Sequence, residues 1–559
     1  MQELKHQLQT VIKKEFGEDF QPQFTRPDEK FGDLATNAAM QLGKKLGKNP
    51  REVAILLAGK LRGLESIQKV EIADPGFINF FFSGDTFQKY VHDAMSPDYG
   101  KNDLYKGQTI VLEHTDPNPF KEFHIGHAYS NTVGVSVGKL LENARGKVHQ
   151  VTYQGDVGLH IAMAIYGMKK MDEAGEGRPL SNIGGENRQA FIDLGRAYSE
   201  GVLEYKNDPN AKEEIDKINA HLYSRDHESV NRLYDKGRKW SLEAFEEIYE
   251  KLDAHFEKNY FESDTAKEGI EIVKKNSGKI FEESEGATIY DGEKVGLHKR
   301  VFITKQGLPT YEAKEVGLAY AKARDYPGAN KFIVITANEI EDYFKVLVAA
   351  IEQIDPELAS RIQHITHGVV RLPEGKMSSR TGDVVTLNSL ESDIKKKIRE
   401  LYGEGKDTPE VVFGSMKYEF LKHRLGQDII YDITESVSLE GNSGPYLQYA
   451  YARARSIMNK SKRPEDIRVY NYQLNDSERS LVRKISEFPE VVEKTTSELR
   501  PHYICTYLYE LTQSFNRFYE KNRVIGSERE IDRLTLLSAY IGTLEKGLGL
   551  LNIAAPEHV

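Results

Sequence analysis

Residues 109–131, TIVLEHTDPNPFKEFHIGHAYSN, constrain this chain more than any other stretch. Thr109 to His114 is short, β-branched and apolar, so it reads as a buried strand, and Pro117 and Pro119 cannot continue a ladder and force an exit. The pattern restarts as a helix near Lys121. That order places His124, Gly126 and His127 in the first turns of a helix following a strand, where free N–H groups and the helix dipole favour anions, phosphate above all. Two imidazoles three residues apart share a helix face and can donate to phosphate oxygens. Gly126, lacking a Cβ, lets a flat ring press on the backbone. The plain alternative is a pair of exposed histidines, and a metal pair more often uses i, i+4 spacing.

The remaining chain shifts the balance. HIGH after a strand and P-x-P resembles the first signature of the class I aminoacyl-tRNA synthetases, and residues 113–118, EHTDPN, resemble its arginyl branch. Far downstream, residues 372–382, LPEGKMSSRTG, resemble the mobile KMSKS lysine loop of that class, with Arg380 in a variant of its Lys-Ser tail. Gly375 and Gly382 give this loop freedom to open and close. The resemblance implies two-step chemistry: ATP and L-arginine give arginyl-adenylate and pyrophosphate, and the terminal ribose hydroxyl of tRNA(Arg) then takes the aminoacyl group. It implies His124, His127 and Lys376 as catalytic groups on the phosphates, with ATP held by these residues, Gly126, Met377, Ser378 and Ser379 and accompanied by Mg²⁺. Carried over by motif, Asn118 holds the α-amino or carboxylate end of the substrate, and Glu113, Tyr311 and Glu315 its guanidinium. Glu315 stands where the family usually has Asp, and one extra methylene moves a carboxylate by about a bond length.

A chain of 559 residues is too long for one core, and several domains are expected. Residues 1–100 read as a small α/β domain, with a helical stripe at Leu4, Leu8, Val11 and Ile12 and a strand at 77–82 after the Asp74-Pro-Gly76 turn. FGDLATNAA and DPGFINF resemble the N-terminal domain that arginyl enzymes set against the tRNA elbow. A doubly wound α/β nucleotide-binding domain is expected over 106–167 and 277–400, with strands near 148–151, 331–336 and 364–370, a polar loop at 153–160 and an acidic-aromatic loop at 337–344. Its loop at 153–160 resembles a GDWG-type segment, with Val157 where an aromatic is usual. Residues 168–276 read as a charged helical insertion with an apolar stripe at Phe245, Ile248, Tyr249 and Leu252. Residues 401–437 read as a linker, and 438–559 as an all-α bundle that resembles the anticodon-binding domain of arginyl enzymes.

One cysteine, Cys505, excludes an internal disulfide and a cysteine-cluster zinc site, so no structural metal is expected. No apolar run spans a bilayer and no leader follows Met1, which points to a soluble, cytoplasmic enzyme without a membrane partner; a monomer is expected. The net charge of −10 argues against a nucleic-acid partner only if charge is evenly spread, and Arg interleaved with aromatics at 446–455 and 515–523 is what unstacked RNA bases need. Two rivals stay open: another synthetase of this class, such as the glutamyl or cysteinyl type, and a non-catalytic RNA-binding relative. Glutamate would need basic pocket residues where GLPTYEAKE ends in Glu, and a non-catalytic relative should have lost part of HIGH or Lys376.

Overall fold

Residues Thr109–Glu113 (β1) form the central strand of a five-stranded sheet, buried on both faces as an Ile-Val-Leu run in a parallel sheet must be. The chain continues into α1 (Ile125–Asn143) and β2 (Lys147–Gln154), which pairs parallel to β1. The long helix α2 (Glu228–Leu252) precedes β3 (Lys258–Phe261), which lies beyond β2, and α3 (Glu262–Lys275) follows it. After α4 (Tyr311–Asp325) the chain crosses to the other side of β1 with β4 (Lys331–Ala337), then α5 (Glu341–Ile354) and β5 (Ile362–His367). The strand order β5-β4-β1-β2-β3 reverses between β1 and β4, and the crevice outside their carboxyl ends is where such sheets bind ligands. The computed structural model describes residues 2–174, 187–373, 385–461 and 473–558.

Four expectations change. The HIGH helix starts at Ile125 rather than near Lys121, because His124 is its N-cap and Phe120 has a left-handed backbone. β3 and α3, expected within the helical insertion, belong to the sheet and its cover; a four-residue strand is too short to show a period. The stretch expected as a linker at 401–437 contains the helix Pro409–Leu421, buried at every position from 411 to 421, Lys417 and Glu419 included, and so enclosed all round rather than amphipathic. The strand expected over 364–370 divides into β5 and a separate pair, Val370–Arg371 with Ile429–Ile430.

Ahead of the sheet, an antiparallel four-stranded sheet carries Phe77–Phe82 between Leu34–Thr36 and Ile67–Ala73. Leu4, Leu8 and Ile12 are buried beneath it. This domain docks on the carboxyl-terminal helices: Arg26 pairs with Glu490 at 2.8 Å, Arg479 with Asp33, and the Tyr99 ring stacks on Phe488 at 5.7 Å. Asp33 also accepts the Phe82 amide at 2.8 Å, so the acidic residue of FGDLATNAA is committed to structure. No helix of the described residues is long and apolar enough to cross a membrane.

Candidate active site

The turn leaving β1 is strained. Thr115 (φ 80°), Asp116 (φ 43°) and Phe120 (φ 66°) all lie in the left-handed region, at about 1–3 kcal/mol each. Three hydroxyls from three elements hold their amides: Ser130 of α1 accepts from Thr115 at 3.1 Å, Thr152 of β2 from Asp116 at 3.2 Å, and Ser241 of α2 from Phe120 at 2.9 Å. The Phe120 ring is fully buried, worth about 1.5–3 kcal/mol, in space left by Gly237, where a Cβ would stand 2.1 Å from the ring. Burial and three hydrogen bonds of about 1 kcal/mol each therefore offset most of the strain. The same turn sets Asn118 against the loop after β2; a Cβ on Gly155 would be 2.3 Å from Asn118 Oδ1.

At the start of α1 the two histidines cap the helix and each other. His124 Nδ1 accepts from the amides of Gly126 (3.1 Å) and His127 (3.3 Å), while His127 Nδ1 accepts from the His124 amide at 3.4 Å. The rings stack at 3.6 Å, and a Cβ on Gly126 would stand 3.0 Å from the His124 ring. Since each Nδ1 is an acceptor, each ring carries its proton on Nε2. Burial and then Lys121 lower His124 to about 4, and burial, then His124 and Lys121, hold His127 well below the usual imidazole range. Both are neutral Nε2–H donors at physiological pH. The Ile125 amide donates to Val385 O at 2.9 Å, so the amides of the first turn are satisfied, and an anion here would meet imidazole rather than free backbone.

That last bond has a partner. Leu387 N–H donates to Phe123 O at 2.9 Å, so the chain leaving the lysine loop is clamped onto HIGH on both sides of His124. Lys376, Met377, Ser378 and Ser379 lie outside the described residues, as do Gly375, Arg380 and Gly382.

The carboxyl end of β1 meets α4 in a buried acidic pocket. Glu113 forms an ion pair with Lys322 of α4, both side chains buried. Glu315, two turns earlier on α4, is 4% exposed and faces the Tyr311 hydroxyl. Burial, and next the Glu113 charge, push Glu315 up to about 8. Burial, followed by Glu113, likewise raises Asp116 well above the carboxylate range, although its Oδ1 accepts the Tyr153 amide at 2.7 Å. Tyr343 of α5 brings its ring to 4.9 Å from that of Tyr311. Its buried hydroxyl, and the buried amide of Gln154 at the end of β2, have no partner among the described residues. Gln154 and Tyr343 fall within the polar and acidic-aromatic loops expected at this edge of the sheet, though neither is singled out by the sequence, and Lys322 carries no sequence signal.

In the loop at 153–160, Asp156 is fully buried and accepts from Tyr234 (2.8 Å), Arg238 (2.9 Å) and both the amide and hydroxyl of Ser263 (2.9 and 2.8 Å). It ties α2 and α3 to the sheet edge rather than facing the crevice as a free acid. Among the described residues no group of three or more His, Cys, Asp or Glu is arranged to hold a metal. On the helical domain Phe515 and Phe518 are core, whereas Tyr449 and Tyr519 are exposed with the Arg453 guanidinium 4.8 and 5.8 Å from their rings.

Known families and structures match this chain over most of its length. Residues 91–419 match the family described as tRNA synthetases class I (R), catalytic domain; residues 2–82 match the arginyl tRNA synthetase N terminal domain, and 447–559 the DALR anticodon binding domain. Curated relatives include the arginine–tRNA ligase of Treponema denticola, 29% identical over 90% of this chain and 88% of its own length, and that of Shewanella denitrificans, 30% identical over 99% and 97%. In fold, the chain matches Thermus thermophilus arginyl-tRNA synthetase with a TM-score of 0.78 at 24% identity, covering all of both chains.

Proposed function

The chain belongs to the arginyl-tRNA synthetase family, and we propose that it joins L-arginine to tRNA(Arg) in the crevice between β1 and β4, driven by ATP. The triphosphate lies over the start of α1, where the Nε2–H groups of His124 and His127 donate to it and Gly126 forms the floor. Lys376, with Met377, Ser378 and Ser379, serves the same phosphates, and the described chain that follows them is bonded to Ile125 and Phe123 through Val385 and Leu387. Mg²⁺ enters as part of the ATP substrate. Asn118 takes the α-amino or carboxylate end of arginine, and Glu315, Tyr311 and Glu113 take the guanidinium.

The arginine carboxylate attacks the α-phosphorus, pyrophosphate leaves, and the terminal ribose hydroxyl of the tRNA attacks the carbonyl of the adenylate. The rate comes from positioning and from donors placed where charge builds, as in phosphoryl transfer generally. Arg453 between Tyr449 and Tyr519 offers a stacking platform for unstacked bases. The reading places the protein in cytoplasmic translation as a monomer.

What supports the proposal is that the carboxyl end of β1 leads both to the two Nε2–H imidazoles at the start of α1 and to the buried carboxylates Glu113 and Glu315, which suit a cationic side chain. An aminoacylation assay with twenty amino acids and total tRNA is expected to charge arginine alone, and pyrophosphate exchange with ATP and arginine to fall at least tenfold when tRNA is omitted, as the resemblance to arginyl enzymes implies. Charging of glutamate or cysteine, or full exchange without tRNA, would count against it. Lys376→Ala is expected to lower kcat for adenylate formation about a hundredfold with tRNA binding kept, because its partner charge develops in the transition state. A change confined to the KM for tRNA would remove Lys376 from the phosphate site.

A further inference from the structure

The acidic pocket contains more carboxylate than cation. Around Glu315 stand Glu113 at the end of β1, Asp116 in the following turn, Tyr153 of β2, Glu262 of α3, Tyr311 and Lys322 on its own helix, and Tyr343 of α5. Glu262 is neutralised by its buried pair with Lys314. Glu113 is neutralised by Lys322. Asp116 accepts the Tyr153 amide at 2.7 Å and the Thr152 hydroxyl at 3.3 Å. Among the described residues Glu315 forms no ion pair of its own; its neighbours are the Tyr311 hydroxyl and Lys322, which is already paired with Glu113, and a buried carboxylate without its own counter-ion keeps its proton.

We infer that Lys322 is the resident counter-ion of the amino-acid pocket: by neutralising Glu113 it leaves Glu315 as the carboxyl that a guanidinium must neutralise, so that arginine enters in exchange for a proton from Glu315. The step balances as a protonated Glu315 plus an arginine cation giving an ion pair and one proton released to solvent, with no other bond made or broken. Lys322 acts here as a positioning residue, through Glu113 rather than on the substrate. The inference rests on the arginine-ligase reading above and deepens it.

The test is the pH profile of kcat/KM in aminoacylation by the full chain, measured separately for arginine and for ATP, from about pH 6 to pH 9. Since kcat/KM reports groups of the free enzyme, the arginine profile is expected to rise about tenfold per pH unit up to the pH where Glu315 loses its proton and then level, with no matching rise for ATP. Glu315→Gln is expected to flatten the arginine profile, and Asp116→Asn to keep it. Lys322→Met, which leaves Glu113 unpaired, is expected to move the midpoint up by about one unit or more, and Lys322→Arg to restore it; a purely structural lysine would leave the midpoint in place. Proton uptake or release on arginine binding, read by calorimetry in two buffers of different ionisation enthalpy, gives a second measure. Parallel profiles for arginine and ATP, a slope that survives Glu315→Gln, or a midpoint unmoved by Lys322→Met would each overturn the exchange. Failure to charge arginine at any pH would instead overturn the function itself.

Discussion

Citrulline offered in place of arginine at about pH 8 is expected to be charged with a kcat/KM roughly 10⁴-fold lower, far beyond the 10 to 200-fold that one methylene is worth. The two substrates are nearly isosteric, so the difference lies in charge and donors. A guanidinium presents five N–H donors in a planar fork and matches a carboxylate in a charge-assisted pair; a ureido group presents an oxygen where a donor is wanted. With citrulline Glu315, buried, would keep its proton, and the ion pair that arginine forms with it is lost. Glu315→Gln is expected to narrow the gap, because an amide can meet either substrate. Glu113→Gln should narrow it less, because Lys322 already occupies that carboxylate. Equal discrimination in wild type and both variants would mean that the guanidinium is read elsewhere.

His124→Asn is expected to lower kcat for adenylate formation by about 10²–10³-fold while leaving thermal stability nearly unchanged. In the wild type one ring does two jobs: Nδ1 caps α1 by accepting from Gly126 and His127, and Nε2–H is left for phosphate. Asparagine is among the best N-caps and supplies an oxygen for the first job, but it cannot reach as far for the second. His124→Ala loses both, with about 1 kcal/mol of stability gone as well. Comparing Tm with single-turnover rates separates the roles; an Asn variant that is stable and fully active would sink the donor assignment.

What was legible in the sequence follows from how local each signal is. The strand 109–113, its proline exit and the following histidines could be read because a period, a ring constraint and a motif coincide within a few residues. The helix start could not be placed, because cap rules look for Ser, Thr, Asp or Asn and this helix is capped by histidine. Lys322 was invisible for a different reason. A lysine on a helix reads as solvated, and only the fold reveals that its ammonium faces Glu113, 209 residues away in sequence. The buried helix Pro409–Leu421 was missed because a helix enclosed on every side has no amphipathic signature, its Lys417 and Glu419 read as solvated, and Pro409 at its first position resembles a linker proline as readily as a helix start.

The three hydroxyls under the strained turn also bear on the order in which the chain emerges during synthesis. β1, both signature histidines and two of the hydroxyls, Ser130 and Thr152, are all present once about 152 residues are out. The third, Ser241, follows Phe120 by 121 residues and arrives only with the long helix of the insertion. A nascent chain therefore displays its signature long before it contains the partner that holds Phe120, and the insertion that separates them, which in the sequence looks like an appendage to the sheet, supplies the last support of the turn that carries Asn118.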